Sequence, residues 1–203
     1  MVDVFVNYRT GDEENVAALL EHELSRRFGP EVFFRASKSI PRGDNFEQAL
    51  TTAVRKSSAL LSVIGPRWLE VRDDRGRRKI DNASDWTRRE ILEAFHCRVR
   101  VIPVLVGSTR PLSADDLPAE LSELAVCQYA RLRQRDLEND LDDLANDLDV
   151  LIPDLRGKRA VAPEPGGTIN NANDQSQVGI QGVVHGNVDF RNFGRPHDDR
   201  DGR

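Results

Sequence analysis

The 203-residue chain is poor in several things at once: it has two cysteines, one methionine, 6% aromatic residues and no long apolar run. No stretch approaches the ~20 apolar residues of a membrane-spanning helix, so no membrane role is expected. The opening Met1-Val2-Asp3-Val4 has neither the basic nor the apolar region of a secretory signal, and a cytoplasmic location is the default expectation. Cys97 and Cys127 lie in apolar stretches and are expected as reduced, packed thiols. No glycine-rich loop of Walker or Rossmann spacing is present, which excludes an ordinary dinucleotide oxidoreductase. The four histidines, His22, His96, His185 and His197, are too scattered for metal-ligand spacing. Net charge is −5, and this disfavours a general nucleic-acid binder, whose phosphate affinity needs clustered Lys and Arg.

What is present is a soluble composition, 38% hydrophobic and 31% charged, that alternates strand and helix patterns. Val2, Val4 and Val6 recur at period two, a short strand. Val16, Leu19, Leu20, Leu24 and Phe28 then line one face of a helix over residues 12–28. Val32-Phe33-Phe34 is a second strand, followed by a loop punctuated by Pro41 and Gly43 and by a helix lined by Phe46, Leu50, Ala53 and Val54. The runs 59–64 and 99–106 have the continuous apolar character of strands buried on both faces. A helix follows Asp85 to about Arg98, an edge strand is expected over Val126–Ala130, and Leu137, Leu141, Leu144 and Leu148 stripe a closing helix. Alternation of this kind predicts a doubly wound, flavodoxin-like α/β fold with a five-stranded, mainly parallel sheet.

Composition changes near Arg156. Residues 157–203 carry six basic and six acidic residues, so the whole net charge belongs to residues 1–156. The expected organisation is a globular domain over 1–155, a flexible linker over 156–169, a β-prone segment over 170–190 and a disordered polar tail over 191–203. The segment 170–190 is rich in Asn, Gln, Gly, Val and Ile and has no proline, the composition of a cross-β stack.

Four segments in order resemble the Toll/interleukin receptor (TIR) domain family over about residues 2–152: Val4-Phe5-Val6-Asn7-Tyr8-Arg9, Arg35 through Ile40-Pro41-Arg42-Gly43, Ile64-Gly65-Pro66-Arg67-Trp68-Leu69, and Ser84-Asp85-Trp86-Thr87-Arg88-Arg89-Glu90. Ala36 stands where the family has an acidic residue, and Arg42 separates Pro41 from Gly43. The family contains adaptors that only associate and enzymes that cleave NAD+ at the nicotinamide-ribose bond. The resemblance implies a bacterial effector of the second kind, a hydrolase with NAD+ as substrate and no cofactor, using Glu90. Cyclase and scaffold activities stay open beside it.

The residues support a special place for Glu90. Trp86 and Glu90 stand at i and i+4 and share a helix face, while Ile91 and Phe95, set roughly 100–140° away from Glu90, are the expected core contacts. An aromatic beside a carboxylate excludes water and raises its pKa, or stacks on a flat ligand. Glu93 is the spare carboxylate, and the plain alternative is that Glu90 neutralises Arg88 or Arg89. By resemblance Tyr8 and Arg9 line a nucleotide pocket, Arg9 meeting the diphosphate, unless they form an ordinary capped loop. Trp68 is read as a stacking platform or a half-buried packing residue, while Arg35, Lys38 and Arg42 face ligand or a neighbouring subunit, or solvent. Arg75, Arg77, Arg78 and Lys79 read as a solvated basic loop.

The segment 175–188 also resembles the RIP homotypic interaction motif and bacterial amyloid signalling motifs, with Gly182 ahead of Val183 in place of the usual order. The resemblance implies assembly through Val178, Ile180, Gln181 and Val183, and TIR–TIR contacts through the loop at Pro41 and Gly43. The partner expected upstream is a receptor bearing a matching amyloid motif, such as an NLR-like protein.

Overall fold

The computed structural model describes residues 3–35, 40 and 42–158, all within the first of two compact units, Met1–Ala162. Five strands form one sheet: β1 (Val4–Asn7), β2 (Phe33–Phe34), β3 (Ala59–Ile64), β4 (Arg100–Val106) and β5 (Ala130–Leu132), in the order β2-β1-β3-β4-β5. Every pairing is parallel, so each connection crosses over a face of the sheet. Helices α1 (Glu14–Phe28), α2 (Phe46–Lys56), α3 (Trp86–His96) and α4 (Leu137–Leu151) provide the cover. The expected doubly wound, flavodoxin-like fold with a mainly parallel five-stranded sheet is the one observed.

Alternation along the strands divides the core in two. Val4 and Val6 of β1 and Leu61 and Val63 of β3 pack with Leu20 and Leu24 of α1 and Leu141, Leu144 and Leu148 of α4. Phe5, Leu60 and Ile64 point the other way, toward Leu50 and Val54 of α2 and Ile91 and Ala94 of α3. Period two therefore sends Asn7 to the side of Phe5, and Ser62 to the side of Leu60. Register pairs Asn7 with Ser62, and both are fully buried. Polar groups buried in this way require partners.

Several boundaries differ from the sequence reading. The edge strand lies at 130–132, because residues 119–126 form a run of 3-10 turn whose Leu121 and Leu124 close the α3 face of the core. Val126, expected in that strand, is 82% exposed. Phe46, expected as a core residue of α2, is exposed and lies edge-on to Trp86, with ring centroids 5.3 Å apart. Cys97 and Cys127 are half-buried free thiols. The basic loop is solvated at Arg75 and Arg77, as expected, with Arg77 paired with Asp73 and the half-buried Arg78 with Asp81. At the amino end of the sheet Lys158 Nζ meets the buried carboxylate of Asp3 at 2.8 Å. Among the described residues no helix is long and apolar enough to cross a membrane. Expectations placed on Val2, the linker over 156–169 beyond Lys158, the segment 170–190 and the tail 191–203 lie outside the described residues.

Candidate active site

The site forms where β1 ends and α3 begins, at the carboxyl edge of the sheet, the place where open α/β sheets bind ligands. A cavity of about 240 Å³ there is lined by Val6, Tyr8, Arg9, Thr10, Phe46, Lys79, Asp85, Trp86, Thr87 and Glu90. Local structure fixes each wall. Asp85 is the N-cap of α3, its carboxylate accepting from the Arg88 N–H at 3.0 Å, which satisfies one of the helix's unpaired donors. The same carboxylate receives two bonds from Arg9, at 3.0 and 2.9 Å. Thr87 Oγ1 donates to the Tyr8 carbonyl at 3.2 Å and so ties the helix start to the strand exit.

Glu90 lies on the buried stripe of α3 with Thr87, Ile91 and Ala94. The sequence reading set it apart from the apolar stripe and gave that stripe to Ile91 and Phe95, but Phe95 is only partly buried and Ala94 takes its place. Glu90 is 7% exposed. Asn7 Nδ2 donates to its Oε2 at 2.7 Å and to the Thr87 carbonyl at 3.2 Å, while Ser62 Oγ donates to Asn7 Oδ1 at 2.9 Å. The relay Ser62–Asn7–Glu90 supplies the partners that the two buried strand residues required, and it fixes the carboxyl in the cavity. Burial raises the Glu90 pKa to about 8 from the ordinary 4.5, opposed by the Asn7 hydrogen bond and reinforced by the nearby Asp85 charge. Glu90 does not neutralise its neighbours: Arg88 pairs with Glu120 and Arg89 with Glu47. The spare carboxylate, Glu93, pairs with Arg55 and lies outside the cavity lining.

Trp86 and Tyr8 stand in the cavity wall with Glu90. The Trp86 ring is held by Phe46 at its edge and by the Arg89 guanidinium 4.2 Å from its centroid. Arg9 also lines the cavity, yet it is 2% exposed, bound to Asp85 on one side and 5.2 Å from the Trp68 ring on the other. Both terminal nitrogens of this guanidinium are thereby taken up by Asp85, where the expected partner was a diphosphate. Trp68 is 1% exposed and belongs to the core, so of its two expected roles, stacking platform and packing residue, it takes the second and is buried more deeply than the half-buried position expected. Arg35 faces Glu21 of α1 at 3.6 Å and does not line the cavity. Gly43, exposed, has φ +96°, a left-handed value that glycine adopts without strain. Lys38, Pro41, Val178, Ile180, Gln181 and Val183 lie outside the described residues. Among the described residues no group of His, Cys, Asp or Glu could hold a metal ion.

Two site residues escaped the sequence reading. Asn7 belongs to the motif at the end of β1, and its period-two position on the α3 side marks it as a buried polar group seeking a partner. Lys79 was grouped with its basic neighbours, and nothing in the local sequence separates it from them. A third feature steadies the exit loop of β1: Asp12 accepts from the Gly65 and Arg67 N–H groups at 2.7 and 2.9 Å. The approach is close enough that a Cβ on residue 65 would stand 2.2 Å from Glu13 Cγ and 2.7 Å from Asp12 Oδ1.

The comparisons agree with this architecture. The TIR domain family model matches residues 4–146. The NAD(+) hydrolase sarm1 of Drosophila melanogaster is 25% identical over 126 residues, which make up 61% of this chain and only 8% of that protein. The TIR domains of the activated Roq1 resistosome directly recognizing the pathogen effector XopQ superpose with a TM-score of 0.56 at 15% identity, covering 73% of this chain and 99% of theirs. The TIR domain of the Toll-related receptor TRR-2 from Hydra magnipapillata gives a TM-score of 0.49 at 19% identity, covering 73% and 98%. The family match spans well over half of the sequence and contains both the β1 exit and the helix bearing Glu90, so this chain belongs to the TIR domain family.

Proposed function

We propose that the protein is a NAD+ glycohydrolase that cleaves the nicotinamide-ribose bond, with Glu90 as the catalytic residue. The observation that carries the reading is a carboxyl group, buried, oriented by Asn7 and open to a cavity walled by Trp86 and Tyr8, whose other carboxylate, Asp85, is paired with Arg9. The chemistry asks for little more. Departure of nicotinamide passes through an oxocarbenium-like state on the ribose, as in glycoside hydrolysis. Nicotinamide is cationic in NAD+ and leaves neutral, so no general acid has to protonate it. One carboxylate then suffices to hold the ribose hydroxyls and stabilise the developing charge. In the free protein Glu90 is mostly protonated at neutral pH, and the pyridinium cation of the substrate, placed beside it, favours the ionised form.

The cavity of about 240 Å³ is below the roughly 300–1,000 Å³ usual for small-molecule sites. It suits the nicotinamide-ribose half of the substrate and leaves the remainder at the surface. A neighbouring subunit would complete that surface, which makes self-association through the loop containing Gly43 part of the reading. In this reading the protein is a signalling or cell-death effector of bacterial immunity, quiet when dispersed and active when assembled through residues 170–190 on a receptor carrying a matching motif.

The test is incubation of the purified full chain with NAD+, with and without a crowding agent, followed by chromatographic identification of products. Free ADP-ribose is the expected product, and a cyclic ADP-ribose would reassign the chain as a cyclase. NAD+ loss that survives Glu90→Ala removes Glu90 from the mechanism. No loss even on assembly makes the protein a non-catalytic scaffold.

A further inference from the structure

We infer that Lys79 is the contact for the anionic, diphosphate part of a dinucleotide bound in this cavity, the position the sequence reading gave to Arg9. The inference rests on the NAD+ reading and deepens it. Charges on the cavity wall carry the argument. Arg9 and Asp85 cancel in a two-bond pair, and the Arg89 guanidinium is taken up by Glu47 and the Trp86 ring. Of the basic run 75–79, Arg77 and Arg78 are paired with aspartates, whereas Lys79 lines the cavity and has no acidic partner among the described residues. It therefore leaves a net cation on the wall that carries the Glu90 carboxyl. A ligand matched to that wall is cationic at one end and anionic at the other.

The backbone of Lys79 is also held in place. Its N–H donates to the Val71 carbonyl at 2.8 Å, beside the antiparallel bridge of Arg72 and Arg78. It begins the 3-10 turn Lys79–Asp81, whose Ile80 is 1% exposed in the core. The buried Arg88 guanidinium donates to the carbonyls of Ile80 and Asp81 at 3.3 and 3.0 Å. The helix that presents Glu90 thus also fixes the turn from which Lys79 projects.

The experiment measures direct binding by titration calorimetry to the full-length Glu90→Gln protein, in which substrate is not consumed, in the presence of a crowding agent that forces assembly, with and without Lys79→Gln and Lys79→Arg. The ligands are NAD+, nicotinamide mononucleotide and nicotinamide riboside. A charge-assisted contact to phosphate predicts a roughly ten- to hundredfold rise in Kd for NAD+ and the mononucleotide on Lys79→Gln, with the riboside unchanged and Lys79→Arg restoring affinity. NAD+ binding that is insensitive to Lys79→Gln, or a loss shared equally by the riboside, overturns the role of Lys79 and leaves the NAD+ reading standing. No binding of any of the three overturns the NAD+ reading and the inference with it.

Discussion

Glu90→Gln should abolish NAD+ cleavage and at the same time make the protein more stable, and the gain should depend on pH in a way that identifies its cause. Glu90 has a folded-state pKa of about 8 against 4.5 for an ordinary glutamate. Below pH 4.5 the group is neutral in both states and contributes nothing. Between 4.5 and 8 the unfolded chain releases the proton while the folded protein keeps it, so stability falls with rising pH. Above 8 both states are ionised and the full penalty is present. At ~1.4 kcal/mol per pKa unit the penalty is about 3 kcal/mol at pH 7 and about 5 kcal/mol above pH 8. Glutamine has nearly the same shape and retains an oxygen to accept from Asn7, but it cannot ionise. Urea unfolding of both proteins, followed by the fluorescence of Trp68 and Trp86, should therefore give matching stabilities at pH 4 and a widening gap up to pH 8, with the variant the more stable. A gap that is flat in pH, or a wild-type protein that is the more stable at pH 8.5, would refute the desolvated carboxyl and the argument built on it.

Asn7→Ala removes the one interaction that lowers the Glu90 pKa, so the pH profile of kcat/KM for NAD+, expected to rise through about pH 8 in the wild type, should move to higher pH. Asp85→Asn keeps a capping oxygen for α3 but strands the buried Arg9 cation; urea unfolding should show a loss of about 3–5 kcal/mol. Gly65→Ala drives a methyl into Glu13 and Asp12 and should cost about 1–3 kcal/mol, with part of the loss recovered in a Glu13→Ala background in the same assay. Trp68→Phe should lower the melting temperature while leaving the KM for NAD+ unchanged, because the ring is core and not a ligand platform.

The fold was legible because hydrophobic period alone separates strands buried on both faces, such as 59–64, from helices with one apolar stripe, such as 137–151. Glu90 was legible from its i, i+4 partnership with Trp86 and from the family motif. Its place within the buried stripe was not, since helical angle arithmetic cannot tell a carboxyl on the core face from one beside it when the strand opposite offers an amide to receive it. That amide belongs to Asn7, 83 residues away in the chain. The reading of Arg9 has the same origin: a cation at a strand exit reads as a ligand contact until its counter-charge, Asp85, arrives from a distant loop. The stretch 107–125 has no reading because its Leu117, Leu121 and Leu124 are held by 3-10 turns and not by an α-helix, and such turns lack a long enough period to register.

The pairing of Lys158 with Asp3 bears on how the domain can be engineered. Asp3 immediately precedes β1, whereas Asn7 closes the same strand, and at about 3.3 Å per residue the two stand roughly 13 Å apart. A reporter or multimerisation module joined directly after Lys158 would enter at the amino end of the sheet, across the strand from the cavity. The neighbouring positions 3 and 158 could likewise be bridged by a short linker and the chain reopened in an exposed loop, a circular permutation that leaves Glu90 and its relay on their original strands and helix.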